Sequence, residues 1–302
     1  MRTAFIETLC EVAEGNERIW LLTGDLGFSV LERFSARFPE RYVNVGVAEQ
    51  NLAGVAAGLA RCGKIPFIYS IANFPTLRCL EQIRNDVCYH EADVKVVAVG
   101  SGFTYGAQGY THYGVEEMGI MRILPNMTVV SPADPVEARL ATRAVAERPG
   151  PCYLRLGKAG EPVVHEQIPD FQLGRAIVVR PGRDATLIST GGMLTEALET
   201  STRLAAKGID VRVLSMHTVK PLDNAAVIQA ARETAAIVTV EEHSITGGLG
   251  SAVAEVLAEA GVPTRFRRFG MPDQLYHTVG SQNHMRRLAG DLCDTVVSLL
   301  DR

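Results

Sequence analysis

The stretch NVGVAEQN at positions 44–51 sets one carboxylate, Glu49, among small and apolar residues, ahead of LAGVAAGLARCG, a run with the spacing of a tightly packed helix. A buried carboxylate is costly unless it is paired or hydrogen-bonded. From the residues alone two readings stand. Glu49 is a helix cap or half of a buried ion pair, or it is an acid kept dry to hydrogen-bond a ligand heterocycle. Four glycine-bearing turns could approach a ligand: TGDLG (23–27), GSGFTYGAQG (100–109), TGG (190–192) and TGGLG (246–250). Each follows an apolar run. Ligands of open α/β sheets sit beyond the carboxyl ends of strands, and helix N-termini there can hold anions. A tight turn explains any single one of them as well or better, and none has the full GxGxxG or GxxxxGK[ST] spacing.

The elements that must position these residues alternate in type. RIWLLT (18–23), KIPFIYS (64–70), VKVVAVG (94–100), MTVVS (127–131) and CYLRL (152–156) read as strands buried on both faces. Helical spacing fills 3–14, 49–62, 76–90 and 134–147, the last entered through Pro132 and Pro135 with Asp134 as a cap. A segment rich in Gly and Pro follows, read as a linker over 161–182 with a short strand at 176–179. The alternation then resumes, with strands at 185–190, 211–215, 235–242 and 264–270 and helices at 193–207, 223–233, 249–260 and near 281–300. The spacing predicts two α/β domains, 1–160 and 183–302, the first a doubly wound parallel sheet.

The 302 residues carry a net charge of -4, which argues against a nucleic-acid or anionic-membrane binder. The start of the chain is amphipathic and contains acids, unlike a signal peptide, and no apolar stretch approaches the ~20 residues of a membrane span, so a cytoplasmic location is expected. Six cysteines without a CxxC pair read as reduced thiols in core positions. His90, His165 and His284 read as solvated surface.

RYVNVGVAEQNLAGVAAGLARCGKIPF (41–67), EQIRNDVCY (81–89) and GAQGYTHYGVEEMGIMRILPNMTVVSPADPVEA (106–138) together resemble the transketolase family, and the second of these is close to its small-subunit members. ATLISTGGMLTEALE, VRVLSMHTVKPLD and TVEEHSITGGLGSAVAEVL resemble that family's C-terminal domain. The resemblance covers nearly the whole chain. It implies a pyrimidine-binding domain followed by a smaller α/β C-terminal domain, and thiamine diphosphate as cofactor. Glu49 would then hydrogen-bond ring nitrogen N1′ of the aminopyrimidine and promote loss of the thiazolium C2 proton.

The diphosphate-binding half of the family, with its GDG-type magnesium motif, has no counterpart here. TGDLG carries Leu26 where that motif needs a small residue, so no metal residue is expected in this chain. The resemblance therefore implies a smaller subunit that begins where the pyrimidine domain begins. It would associate with itself and share cofactor and Mg2+ with a larger partner subunit, as a heterotetramer acting on sugar or sugar-phosphate substrates. Carried over by position, Asp25 lies near the thiazolium, Phe74 stacks on the pyrimidine and His112 sits by the substrate's reacting carbons, while Arg2 and Ser29 meet a substrate phosphate. Tyr105 is read as lining the same pocket or as a surface tyrosine. Three positions depart from the family: its substrate-reading aspartate is Gln108, a phosphate-contacting histidine is Gly100, and an arginine is Lys158. A neutral amide accepts more weakly than a carboxylate, and a lysine offers a point charge in place of a fork. These departures imply a non-standard donor or acceptor: branched, deoxy, sulfonated or unphosphorylated.

The rival readings are the beta subunit of a 2-oxoacid dehydrogenase's decarboxylating component and a deoxyxylulose-phosphate-synthase-like acyloin synthase. A third is a non-catalytic assembly subunit. Thr111–His112 and EQIRND favour transketolase over the first, and the presence of Glu49 and His112 argues against the last.

Overall fold

Strands that are apolar along their whole length need cover on both faces, which a parallel sheet between helices provides. A computed structural model describes residues 1–301 and shows two such sheets. The first is built from β1 (Ile19–Thr23), β2 (Tyr42–Asn44), β3 (Ile65–Ile71), β4 (Lys95–Val99), β5 (Thr128–Val130) and β6 (Cys152–Leu156). The second contains β7 (Ile177–Arg180), β8 (Ala185–Ser189), β9 (Val211–Ser215), β11 (Ala236–Ser244) and β12 (Arg265–Met271), in the order β12-β11-β8-β9-β7. The remaining strand, β10 (Thr218–Lys220), leaves the second domain and joins the first sheet, whose order is β10-β5-β6-β4-β3-β1-β2. Its pairing with β5 is antiparallel, as is that of β7 with β9, and every other ladder is parallel.

Helices Arg2–Gly15 and Pro135–Glu147 cover one face of the first sheet through Phe5, Leu9, Ala138 and Val145. Helix Glu49–Arg61 covers the other through Leu52, Ala53 and Ala56. Its small residues let the backbone lie close to the strands, so the first turn of this helix sits against the ends of β1 and β3. Helices Leu194–Ala205 and Leu292–Leu300 cover one face of the second sheet, and Asn224–Glu233 and Leu249–Ala260 the other.

Several local expectations are corrected. The helix expected over 76–90 is three short pieces, Phe74–Leu77, Leu80–Gln82 and a widened turn Ile83–Cys88. Cys79 breaks it at φ -119°, and its thiol donates to the Pro75 carbonyl at 3.0 Å. The helix expected near 281–300 is divided at Gly290, which takes φ +95°, after which Asp291 caps Leu292–Leu300 by accepting from the Asp294 N–H. Cys62 is exposed, unlike the other five thiols. His165 is not solvated: its ring lies 2.8 Å from the buried Glu137 carboxylate. Among the described residues no helix is long and apolar enough to cross a membrane.

Candidate active site

The carboxyl ends of β1, β3 and β4 lie side by side, and the loops leaving them carry Asp25, Phe74 and the 100–112 segment. Glu49 opens the adjoining helix and is 5% exposed. Its Oε1 accepts from Arg78 Nη1 at 3.1 Å, its sole hydrogen-bond partner among the described residues. The Arg78 guanidinium lies 4.2 Å over the Phe74 ring, and Phe74 meets the His112 ring edge-on at 5.2 Å between centroids. Asn73 holds the third side of this group. Its Nδ2 donates to the Thr111 carbonyl at 2.9 Å, while its Oδ1 is buried without a partner. Thr111 Oγ1 is 3.0 Å from His112 Nδ1. Burial, with Glu49 adding to it, pushes the neighbouring Cys79 thiol up to about 12, so that thiol stays protonated near neutral pH.

Asp25 is exposed at φ +59° on the turn after β1. Asn44, at the end of β2, fixes that turn. Its Nδ2 donates to Asp25 Oδ1, and its Oδ1 accepts from the N–H groups of Asp25 and Gly46, all at 3.0 Å. The structure thus brings Glu49, Phe74, His112 and Asp25 to one edge of the first sheet. Around that edge Phe28 and Val47 are each 73% exposed.

The expected substrate-side residues separate into smaller groups. Arg2 donates its N–H to the Lys158 carbonyl at 3.1 Å, and Lys158 Nζ lies 5.5 Å over the Tyr105 ring. Burial raises the Tyr105 phenol, and Arg2 beside it partly opposes the shift. Gly100 takes φ +102°, and a Cβ there would come 2.3 Å from the Tyr105 ring. The glycine at this position is therefore what admits Tyr105. Ser29 sits on an exposed turn at φ +63°, its N–H donating to Glu32 at 2.8 Å. Gln108 is exposed at the end of a short turn, Gly106–Gln108, facing neither Lys158 nor Ser29 through any hydrogen bond. A separate cleft of about 590 Å³ runs between the domains. Of the expected residues Lys158 lines it, while Glu49, Phe74 and His112 do not.

Sequence reasoning missed Asn44, Asn73 and Arg78. Asn73 and Arg78 flank Phe74 in ANFPTLR, and Arg78 falls four positions after it, the spacing that lets a cation reach back over a ring within one helical turn.

A planar, nitrogen-bearing group resting on an aromatic face and sharing a proton with a buried carboxyl group is the arrangement an aminopyrimidine would require. The donor and acceptor set here fits one. Residues 1–160 match the family described as "Transketolase, pyrimidine binding domain", and 174–290 the one described as "Transketolase, C-terminal domain". The chain belongs to the transketolase family. It is 40% identical, over 96% of its length and 90% of the relative's, to the 6-deoxy-6-sulfo-D-fructose transketolase subunit SqwH of a Clostridium species. It is 39% identical to an apulose-4-phosphate transketolase subunit of Phocaeicola vulgatus, over 90% of this chain and 88% of that one. A solved split-gene transketolase, an inactive beta4 tetramer, superposes with a TM-score of 0.89 at 40% identity, covering 99% of this chain and 96% of that one.

Proposed function

We propose that this chain is the smaller subunit of a split, thiamine-diphosphate-dependent transketolase, which moves a two-carbon ketol unit from a ketose to an aldose. The observation that carries the reading is the pairing of buried Glu49 with an aromatic face, Phe74, beneath a replaceable planar cation, Arg78. Bound thiamine diphosphate supplies the carbon nucleophile that carries the ketol unit. Glu49 shares a proton with the pyrimidine ring in a dry setting, and Phe74 gives that ring its face. His112 stands over the same edge to exchange a proton with the sugar oxygens, and Asp25 lies on the neighbouring turn. Arg2, Ser29, Gln108 and Lys158 serve the substrate side.

The site is an open edge bordered by exposed apolar residues, as suits a site completed by another chain. We place the diphosphate and Mg2+ on a larger subunit in a heterotetramer in which this chain also contacts a copy of itself. The inactive tetramer of the similar solved structure supports that division. Relatives named for a sulfonated deoxy sugar and for apulose phosphate support a non-standard sugar as donor or acceptor. Soluble cytoplasm is the compartment where such substrates and reduced thiols coexist.

Calorimetry and C2 proton–deuterium exchange test this. The isolated chain is expected to bind thiamine diphosphate weakly or not at all. Addition of the larger subunit with Mg2+ should bring tight binding, C2 exchange and ketol transfer. Tight Mg2+-dependent binding by this chain alone, or no transfer from any phosphorylated, sulfonated, branched or deoxy ketose after reconstitution, would overturn it.

A further inference from the structure

The loop that carries Gln108 and His112 is held at its two ends by different domains. Its second half, the turn Tyr110–His112, belongs to the first domain: Asn73 donates to the Thr111 carbonyl at 2.9 Å, and Phe74 packs on His112. Its first half, the turn Gly106–Gln108, rests on the second domain. The Gly280 N–H donates to the Gly106 carbonyl at 3.3 Å, and a Cβ on Gly106 would come 2.5 Å from the Gly280 carbonyl oxygen. The Tyr113 hydroxyl is 3.1 Å from the Gly106 carbonyl and 2.8 Å from that of Thr278, so its one proton ties the two domains together at that point. Upstream, the Phe103 N–H donates to Glu242 at 2.7 Å. Phe103, Tyr113 and Val115 from the first domain share one apolar cluster with Met271, Tyr276 and Met285 from the second. Between the halves the chain turns at Gly109, at φ +84° and ψ -176°, a backbone conformation that favours glycine.

We propose that the second domain sets acceptor selectivity by fixing the Gly106–Gln108 turn, with Tyr113 as the positioning residue. This rests on the reading of Gln108 as a substrate-side residue. The turn that bears Gln108 is placed by Thr278 and Gly280, whereas the turn that bears His112 is placed by Asn73 and Phe74. A disturbance from the second domain therefore reaches recognition of the acceptor and spares the reacting carbons. Loops of a scaffold take their selectivity from whatever fixes their pitch, and here the fixing surface lies about 170 residues downstream of the loop, taking Gly106 and Gly280 as the touching pair.

The test uses the complete enzyme reconstituted with its larger subunit. Tyr113→Phe keeps the ring and removes the shared proton. The expected result is a rise of about five- to tenfold in KM for the aldose acceptor, with kcat and the KM of the ketose donor within about twofold of the parent. Amide hydrogen exchange should accelerate over residues 104–109 and stay unchanged at 111–112. Gly106→Ala, which forces the turn off Gly280, should give the same split with a larger KM change. An unchanged acceptor KM in both variants, or kcat falling together with it, overturns the inference. Failure of the parent enzyme to exchange the C2 proton would instead overturn the proposed function, and the amide-exchange result, which needs no turnover, would still decide whether the second domain holds the turn.

Discussion

Glu49 and Glu242 are equally buried, each 5% exposed, yet they live in opposite circumstances. Glu242, in the seam between the domains, accepts from the Phe103 N–H, from Gln282 through both oxygens and from Nε and Nη2 of Arg286. Other buried acids of the molecule also have more than one partner. Glu137 accepts from the Ala133 N–H, Ser215 and His165, and Glu241 accepts from the N–H groups of Leu249 and Gly250. Glu117 takes Arg155 at 2.5 Å and Tyr153 at 3.1 Å on Oε1, while its Oε2 is buried without a partner among the described residues. Among the described residues Glu49 has one partner, an arginine whose side chain is 51% exposed. Burial is the same in the two regions, and what separates them is the number of partners and how firmly those partners are held. A carboxylate held by several backbone and side-chain donors at once is part of the fold. A carboxylate whose only partner can swing away is available to a ligand.

The sharpest way to break this comparison is to remove the charge from one acid in each region. Burial would raise the Glu117 carboxyl, and Arg155 and His243 beside it together more than reverse that. Glu117→Gln leaves the Arg155 guanidinium, 2% exposed, without its counter-charge. The expected cost is about 3–5 kcal/mol of stability, read as a large drop in the urea midpoint, with the protein that remains folded still able to join its partner. Glu49→Gln should do the reverse. Its urea midpoint should stay within about 0.5 kcal/mol of the parent, while C2 exchange in the reconstituted enzyme slows by roughly two to three powers of ten. If Glu49→Gln unfolds the chain and Glu117→Gln does not, the number and burial of the partners is the wrong criterion.

The seam also holds two histidines whose environments shift them in opposite directions, His217 and His165. Burial depresses His217 to about 4, with its ring stacked on Phe171 at 3.9 Å. Its surroundings include Glu137, His165, Arg175 and Asp223. A group whose folded pKa lies below its unfolded value of 6.5 resists protonation in the native state, so the unfolded chain takes up a proton first. Stability should therefore fall as pH drops from about 6.5 to about 4, by up to roughly 3 kcal/mol from this residue. His165 has the opposite sign. The hydrogen bond to Glu137 raises its pKa, so its contribution is present below the unfolded pKa and fades as pH rises through the folded one. Urea midpoints from pH 4 to 8 for the parent and His217→Phe separate the two. The variant should lose the acid-side slope and keep the shallow alkaline one, and an unaltered acid slope would assign it to other groups.

The strands were legible because a run such as VKVVAVG has no polar face to offer solvent, and the helices because their apolar positions recur at helical spacing. The strand β10 was not, since TVK is short and its partner, β5, belongs to the other domain. Local pattern carries no information on a pairing of that separation. The breaks at Cys79 and Gly290 were hidden for different reasons. A thiol that captures a carbonyl leaves no mark on periodicity, whereas Gly290 before Asp291 is a readable stop-and-start signal inside a run that otherwise looks continuous. At the site, Glu49 stood out as an acid in apolar sequence. The acids in TVEEHS are as buried, and sequence offers no count of hydrogen-bond partners by which to tell them from it.

The smallest expected effect concerns Arg78, and it bears directly on whether the partner of Glu49 is replaceable. Its guanidinium holds the face of Phe74 and one oxygen of Glu49 at once. A pyrimidine ring stacked on Phe74 and hydrogen-bonded to Glu49, as proposed, would need the same two surfaces. The cation–π contact and the half-exposed ion pair together are worth about 1 kcal/mol. Displacing them should cost bound cofactor about fivefold in affinity. Arg78→Leu removes the competitor and keeps an apolar side chain over the ring. Calorimetric titration of the reconstituted complex is expected to show thiamine diphosphate binding about fivefold more tightly to the variant, with C2 exchange at saturation unchanged. Weaker binding would mean that Arg78 steadies the acid for the ligand, in which case Glu49 has a fixed partner and resembles Glu242 more closely than its single hydrogen bond suggests.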